Sequence, residues 1–303
     1  GNPAYLNKAT PGAINSAVSP VGIAETPIFS QAAGPFRTPF NLTLSGAGTG
    51  QAIRYVLAAA SAGASAPEPT ASSALYGGPI AINSSVVIRA ALFSNDGRSR
   101  GATRSVYYSM VGSGLSSFTS ALPVIVIDNL GGGPLAKDRV DHVSWLYAYA
   151  PRANNAPVFS SGPDLVSPLL TTVRGTSSAE FPKKAYNIKF TDEQGHGRAP
   201  LLLDLPAQEK WALVAPWKYD LNYINNAFVY SLSNLLGRWA PRTRLAELYF
   251  NSNGNDIDRN DYAGIYVITD RVEVGKKRVD LANLAPNELT GADVTGGSIL
   301  KVA

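Results

Sequence analysis

From Thr26 to about Met110 the apolar residues come in short bursts, "FNLTLS", "AIRYVL", "GPIAI", "SVVIRAALF" and "SVYYSM", and each burst ends in a turn rich in Gly, Pro or Ser. Segments this short cannot lay down a long helical face, whereas alternation sends every second side chain to the same side of a sheet. The pattern predicts an antiparallel sandwich of about seven strands or fewer over 26–110. Residues 1–25, which include "ATPGAINSAVSP", have no such period and read as a linker, and 111–120, with "GSGLSSFTS", read as a second joint.

The 303 residues suffice for two domains, and 45% hydrophobic content can fill two modest cores. Only 16% of residues are charged, a balance suited to an extracellular bacterial protein. The net charge of +4 and the absence of any basic run longer than "GKKR" argue against dedicated nucleic-acid binding. With no cysteine, disulfides, thiolate nucleophiles and Cys-ligated zinc are excluded. No window reaches ~20 apolar residues, so no membrane span is expected, and "GNPAYLNK" is not a signal peptide.

A new core begins at "LPVIVID", a continuous apolar run of the kind covered on both faces. The "GGGPLAKDR" that follows has glycines after a strand, but no Lys-Ser or Lys-Thr pair opens a helix behind it, so it reads as a surface turn rather than a phosphate loop. Further on, Asp220 as N-cap, Leu221, Ile224, Phe228, Leu232 and Leu235 at helical spacing, Gly237 as terminator and Pro241 beyond predict a helix over 221–239. "TRLAELYFN" and "YAGIYVITDRV", joined by "SNGNDIDRND", predict a hairpin at the edge of a sheet.

The stretch "RGTSSAEFPKKAYNIKF" concentrates positive charge at the mouth of a strand. If the strand runs from Pro182, Lys184 shares the apolar side with Tyr186, Ile188 and Phe190, while Lys183 faces water. One reading has the lysine stem snorkel over apolar surface with its head in solvent. The other has Arg174, the Gly175 to Ser178 turn (with Ser177 and Ser178) and the lysines frame an anion site, because an unpaired buried ammonium demands a carboxylate or phosphate.

Two family resemblances sharpen these expectations. "PIFSQAAGPF", "IRY", "EPTASSALYGGPI" and "VVIRAALF" resemble the C-terminal, fibronectin-like sandwich of chitobiase and β-hexosaminidase, departing from it in the Ala-rich loop "VLAAASAGASA". The linker ahead of it resembles the exit from a bacterial lamin-tail-like domain. Residues 121–303 resemble the spore-coat CotH kinase family through "RGTSSAEFPKKAYNIKF", "LLLDLPAQEKWALVAPWKYDLNYINNAF", "GRWAPRTRLAELYFN", "YAGIYVITDRVEVGKKRVDLANL" and "TGGSILKV".

The CotH resemblance implies a kinase-like α+β fold that binds ATP with Mg and phosphorylates Ser or Thr on surface or coat proteins. It implies phosphate contacts for Arg174, Lys183 and Lys184. Asp270 stands where the family usually has glutamate, and it or Glu247 is the candidate partner of the phosphate lysine, since the helix carries no acid. In this family the catalytic carboxylates lie beyond the "TGGSILKV" block, so the catalytic residues are expected downstream of Ala303 and this chain as an incomplete, first part of the domain.

Other constellations carry less. Asp256, Asp258 and Asn260 are oxygen-rich, but Asp261 and Val267 stand where a calcium loop needs Gly and a carboxylate, so a solvated loop is the simpler reading. His142 and His196 are isolated, no Gly-x-Ser-x-Gly elbow is present, and Trp211, Trp217, Tyr219 and Tyr223 are read as packing around the helix start. The expected protein is thus a bacterial surface protein with a sandwich followed by a kinase-like domain. The alternative is a non-catalytic structural or adhesive protein that forms homo-oligomers or filaments through both modules.

Overall fold

The computed structural model describes residues 22–218, 220–281 and 290–291. The expected linker over 1–25 lies almost wholly outside these residues, as do the "TGGSILKV" block and Tyr219. Two compact units emerge: one holds the residues up to Ser116 together with 128–133 and 251–260, the other 117–127, 134–250 and the residues from Asp261 onward.

In the first unit, strands β1 (Ile28–Phe29), β2 (Gly34–Phe36), β3 (Phe40–Leu42), β4 (Leu44–Ser45), β5 (Gln51–Ala59), β6 (Ala74–Leu75), β7 (Ile80–Ile82), β8 (Val86–Ser94) and β9 (Arg104–Met110) follow the short bursts of the sequence. They form a five-stranded sheet in the order β2-β9-β8-β5-β6 and two small pairs, β1-β4 and β3-β7. Most pairings are antiparallel as expected, but β2 runs parallel to β9. The two meet only because the whole length of the unit separates them in sequence, as a parallel connection requires. Leu42, Ile82, Ile88, Leu92 and Tyr108 are fully buried in one core.

The short loop 128–133 follows the strand Val124–Asp128 and is followed by no helix. Gly131 has φ of +75°, and a Cβ there would sit 2.5 Å from Ser61 Cα, so the glycine serves close backbone packing. This agrees with a turn, not a phosphate cradle.

The second unit is a closed barrel of seven strands, in the order β10 (Val124–Asp128), β11 (His142–Tyr149), β12 (Leu165–Arg174), β13 (Ala185–Phe190), β14 (Lys210–Val214), β16 (Tyr262–Asp270) and β15 (Thr243–Asn251). Closure explains the run "PVIVID": Val124 to Asp128 are all buried, because β10 has neighbours on both sides and cover on both faces. Inward residues Leu169, Val173, Tyr186, Ile188, Phe190, Trp211, Leu213, Leu248, Tyr266 and Ile268 fill the interior. Tyr186 stacks on Phe250 at 4.9 Å between ring centroids.

The expected hairpin at a sheet edge is corrected by this topology. β15 and β16 do pair antiparallel, but β16 lies between β14 and β15, and the Glu247 N–H donates to the Pro123 carbonyl at 2.9 Å across the closing seam. No edge remains there, which removes the unpaired backbone groups an edge would leave. The chain is β-rich and divided into two units, with little helix: α1 (Asn225–Leu235) is the single α-helix among the described residues.

That helix also starts later than expected. Asp220 does not cap it; Ile224 holds the N-cap position without a side-chain bond, because Tyr223, with φ of +60°, breaks the turn in between. The terminator is as expected: Gly237 takes φ of +74°, and its N–H donates to the Asn234 carbonyl at 3.1 Å.

Candidate functional site

β13 begins at Ala185, so Lys183 and Lys184 precede the strand and escape its alternation. The expectation that Lys184 enters on the apolar side while Lys183 faces water is therefore overturned. Lys183 Nζ lies 4.9 Å from the centroids of both the Tyr223 and Tyr266 rings and donates to the Ile265 carbonyl. Such a cage holds a cation by the ring quadrupoles, with no anion needed. Burial pushes the Lys183 pKa down. Lys184 Nζ donates to the Ala179 carbonyl at 2.7 Å, while its own carbonyl accepts from Tyr266 Oη at 2.8 Å.

The pairings expected of the two acids are also overturned. Asp270, its side chain fully buried, accepts from Arg242 Nε at 2.6 Å and Arg242 Nη2 at 3.0 Å, with Arg278 Nε 3.6 Å away. Arginine takes this carboxylate because its planar fork matches both oxygens, which a lysine cannot do. Glu247 accepts from Ser120 Oγ at 2.5 Å, and Tyr262 bonds it as well.

A concavity lies on the outer face of the barrel. Alternation along β12, whose Leu169, Thr171 and Val173 are buried, turns Leu170, Thr172 and Arg174 outward. Register then aligns three rows across the face. Leu170 faces Lys189, and Lys189 faces Lys210. Thr172, Asn187, Ala212, Thr269 and Thr243 stand opposite one another in turn. Val214 and Val267 form a third pair on the row of Arg174.

A cavity of about 1080 Å³ opens over these rows, with Arg139, Arg174, Lys189, Arg271, Asp141 and Asp270 in its lining and α1 contributing Asn226 and Tyr230. Among the sites expected from the sequence, Arg174 and Asp270 thus come together; Ser177, Ser178, Lys183, Lys184 and Glu247 do not reach this lining. Sequence reasoning missed Lys189, Arg139, Arg271, Asn187 and Thr269. For Lys189 and Asn187 the signal was present in the outward parity of "AYNIKF", but it is useful only once the outer face is known to be covered.

The electrostatics favour an anion. Arg174 is an exposed residue overall, yet the cavity walls desolvate its guanidinium and, with the nearby Arg271 charge, push its pKa down from the ordinary value. Among the described residues no carboxylate pairs with Arg174. Lys189 and Arg271 have acids only at longer range, Glu209 at 3.6 Å and Glu273 at 3.4 Å. Of the two lining carboxylates, Asp270 is held by arginines and Asp141 accepts from Thr172 Oγ1 at 2.7 Å.

A magnesium ion does not fit these groups. Asp270 already faces two guanidinium groups, and among the described residues no group of three or more His, Asp or Glu is placed to hold a metal. Asp256, Asp258 and Asn260 are not gathered around a common point: Asp256 Oδ1 accepts from Ser85 Oγ at 2.9 Å, and Asp258 accepts from the Asn260 N–H at 2.7 Å. His196 is exposed and bonded to Asp192, and His142 lies 3.5 Å from Asp138. Trp211 is buried in the barrel, whereas Trp217 is 44% exposed, so only the first fits the packing role expected of both.

No curated protein matches the chain. No helix of the described residues is long and apolar enough to cross a membrane. The family model described as CotH kinase protein matches residues 171–302, which carry β13 to β16, α1 and the Arg174 wall of the cavity, and in this part the chain is similar to that family.

Proposed function

We propose that the outer-face cavity binds the phosphates of a nucleotide, and that the chain is a bacterial surface protein whose barrel is the nucleotide-binding part of a kinase-like CotH domain. The observation that carries this reading is Arg174: its guanidinium lines a cavity of about 1080 Å³ together with Arg271, with no carboxylate paired to it among the described residues. A cation with no paired carboxylate, set among further cations, gains most from a polyanion. The volume suits a ligand of nucleotide size.

In this reading Arg174 and Arg271 hold phosphate oxygens, Arg139 and Lys189 supply further positive field, and the Val214 and Val267 pair offers an apolar contact for a ring. The activity we propose is extracellular ATP-dependent phosphorylation of Ser or Thr on coat or surface proteins; the match of residues 171–302 to the CotH kinase protein model supports its kinase-like part. The sandwich would be a chitobiase-type spacer. Titration calorimetry with ATP and with tripolyphosphate tests the site. Arg174→Ala should weaken both by roughly tenfold or more, as expected for losing one charge-assisted contact. Failure of the parent protein to bind both ATP and tripolyphosphate sinks the proposal.

A second reading, a non-catalytic assembly module, rests on α1. Phe228 is 66% exposed, Leu235 84% and Leu236 71%. An apolar face left in water favours association. Light scattering over a concentration series separates the readings, since assembly would grow with concentration and ignore nucleotide.

A further inference from the structure

The polar row beneath the cavity has no structural employment. Thr269 is 7% exposed, and its Oγ1 is buried without a hydrogen-bond partner. Asn187, two strands away on the same row, and Thr243, next to Thr269, also line the cavity and have no side-chain partner among the described residues. Thr172 is the exception, turned to Asp141. A strand position facing outward against a covered surface would ordinarily carry Val or Ile, as Val214 and Val267 do on the neighbouring row. A buried hydroxyl left without a partner costs stability, so its presence points to a partner that comes from outside the chain.

Resting on the phosphate-site reading above, we propose that Asn187, Thr269 and Thr243 form the specificity-determining floor of the cavity. They hydrogen-bond the uncharged part of the ligand, its sugar hydroxyls or base edge, while the arginines hold its phosphates. Asn187 offers an amide oxygen and an amide N–H₂ side by side, and each threonine offers a hydroxyl that both donates and accepts. Together they can satisfy a group with mixed donors and acceptors, whereas a bare polyphosphate, which only accepts, would leave the Asn187 oxygen unmatched. Such a site discriminates, because a ligand that does not reach the floor leaves the buried Thr269 hydroxyl unpaired and the half-buried Asn187 and Thr243 without a ligand partner. The consequence is a preference for nucleoside phosphates over inorganic polyphosphate, set by residues that carry no charge.

The test uses the full chain and two variants, Thr269→Val and Asn187→Leu, with calorimetric titration of ATP and tripolyphosphate and urea unfolding in the absence of ligand. The expected result is roughly tenfold weaker ATP binding for each variant with tripolyphosphate binding unchanged. Thr269→Val should also raise the urea midpoint of the ligand-free protein, since it removes a buried unpaired hydroxyl without changing side-chain size. A purely structural hydroxyl would instead lower it. Equal affinity of the parent protein for ATP and tripolyphosphate, or ATP binding unchanged in both variants, overturns the specificity floor and leaves the phosphate site standing. Loss of binding to both ligands in the parent protein overturns both.

Discussion

Arg242 grips Asp270 with two parallel bonds, Nε to Oδ2 at 2.6 Å and Nη2 to Oδ1 at 3.0 Å, and the Arg242 backbone N–H adds a third at 3.0 Å to the same carboxylate. The same arginine reaches the Lys277 carbonyl at 2.8 Å, and Arg278, which lies 3.6 Å from Asp270, pairs with Glu273 at 2.7 Å. One carboxylate at the end of β16 therefore ties the segment 271–279 to the start of β15. Replacing it by Asp270→Asn leaves two guanidinium groups facing a neutral amide. The expected loss is about 3 kcal/mol of folding stability, in the range for breaking a buried pair. Urea unfolding measures it, and a loss under about 1 kcal/mol would contradict the assignment.

Lys183 belongs to the fold rather than to the anion site. Its pKa is depressed, so the folded state binds this proton less well than the unfolded chain, and the cost of burial is relieved as pH rises through the folded value. Lys183→Met removes that cost together with the ring attraction, and the two nearly cancel: stability at neutral pH should change by under about 1 kcal/mol. ATP affinity should stay as it is. A tenfold drop in affinity with stability intact would place the lysine in the site instead.

Tyrosines set the alkaline limit. Burial pushes Tyr186 up to about 12 and Tyr266 higher still, while Tyr262 reaches about 12 through burial and the adjacent Glu247 charge. Each folded pKa stands above the unfolded value, so the contribution is complete below pH 10 and is lost as pH rises toward 12. For Tyr186, which is buried, this amounts to a loss on the order of 2 kcal/mol. All four tryptophans lie in the barrel unit, so their fluorescence follows its unfolding alone. Between pH 10 and 12 the urea midpoint should fall, and Tyr186→Phe should make the fall shallower; an identical slope in the variant rules this out.

The apolar face of α1 contributes little to the barrel itself. With Phe228 two-thirds exposed, Phe228→Ser should cost less than about 1 kcal/mol, against the 3 kcal/mol or more expected of a core phenylalanine. Under the assembly reading the same variant should reduce concentration-dependent light scattering. A large destabilisation would show that the helix packs on the chain more deeply than its exposure indicates.

The short apolar bursts of residues 26–110, the buried run at 124–128, the end of α1 at Gly237 and the antiparallel pairing of β15 with β16 follow from local chemistry: period, turn residues and the conformational freedom of glycine are carried by neighbours in the chain. Arg174, expected to share an anion site with Lys183 and Lys184, lines the cavity without them. The partners of Lys183, Lys184, Asp270 and Glu247 were not legible in the sequence, because each is chosen across strands that meet only when the barrel closes; β13 begins at Ala185 rather than directly after Pro182, which takes both lysines out of the strand and off the expected faces. Closure decided as well that β15 has no free edge and that Thr172, Asn187, Thr269 and Thr243 fall into one row. Local spacing assigns a side chain to a face of its own strand; which charges share a cavity is settled by register between strands, and that belongs to the tertiary structure.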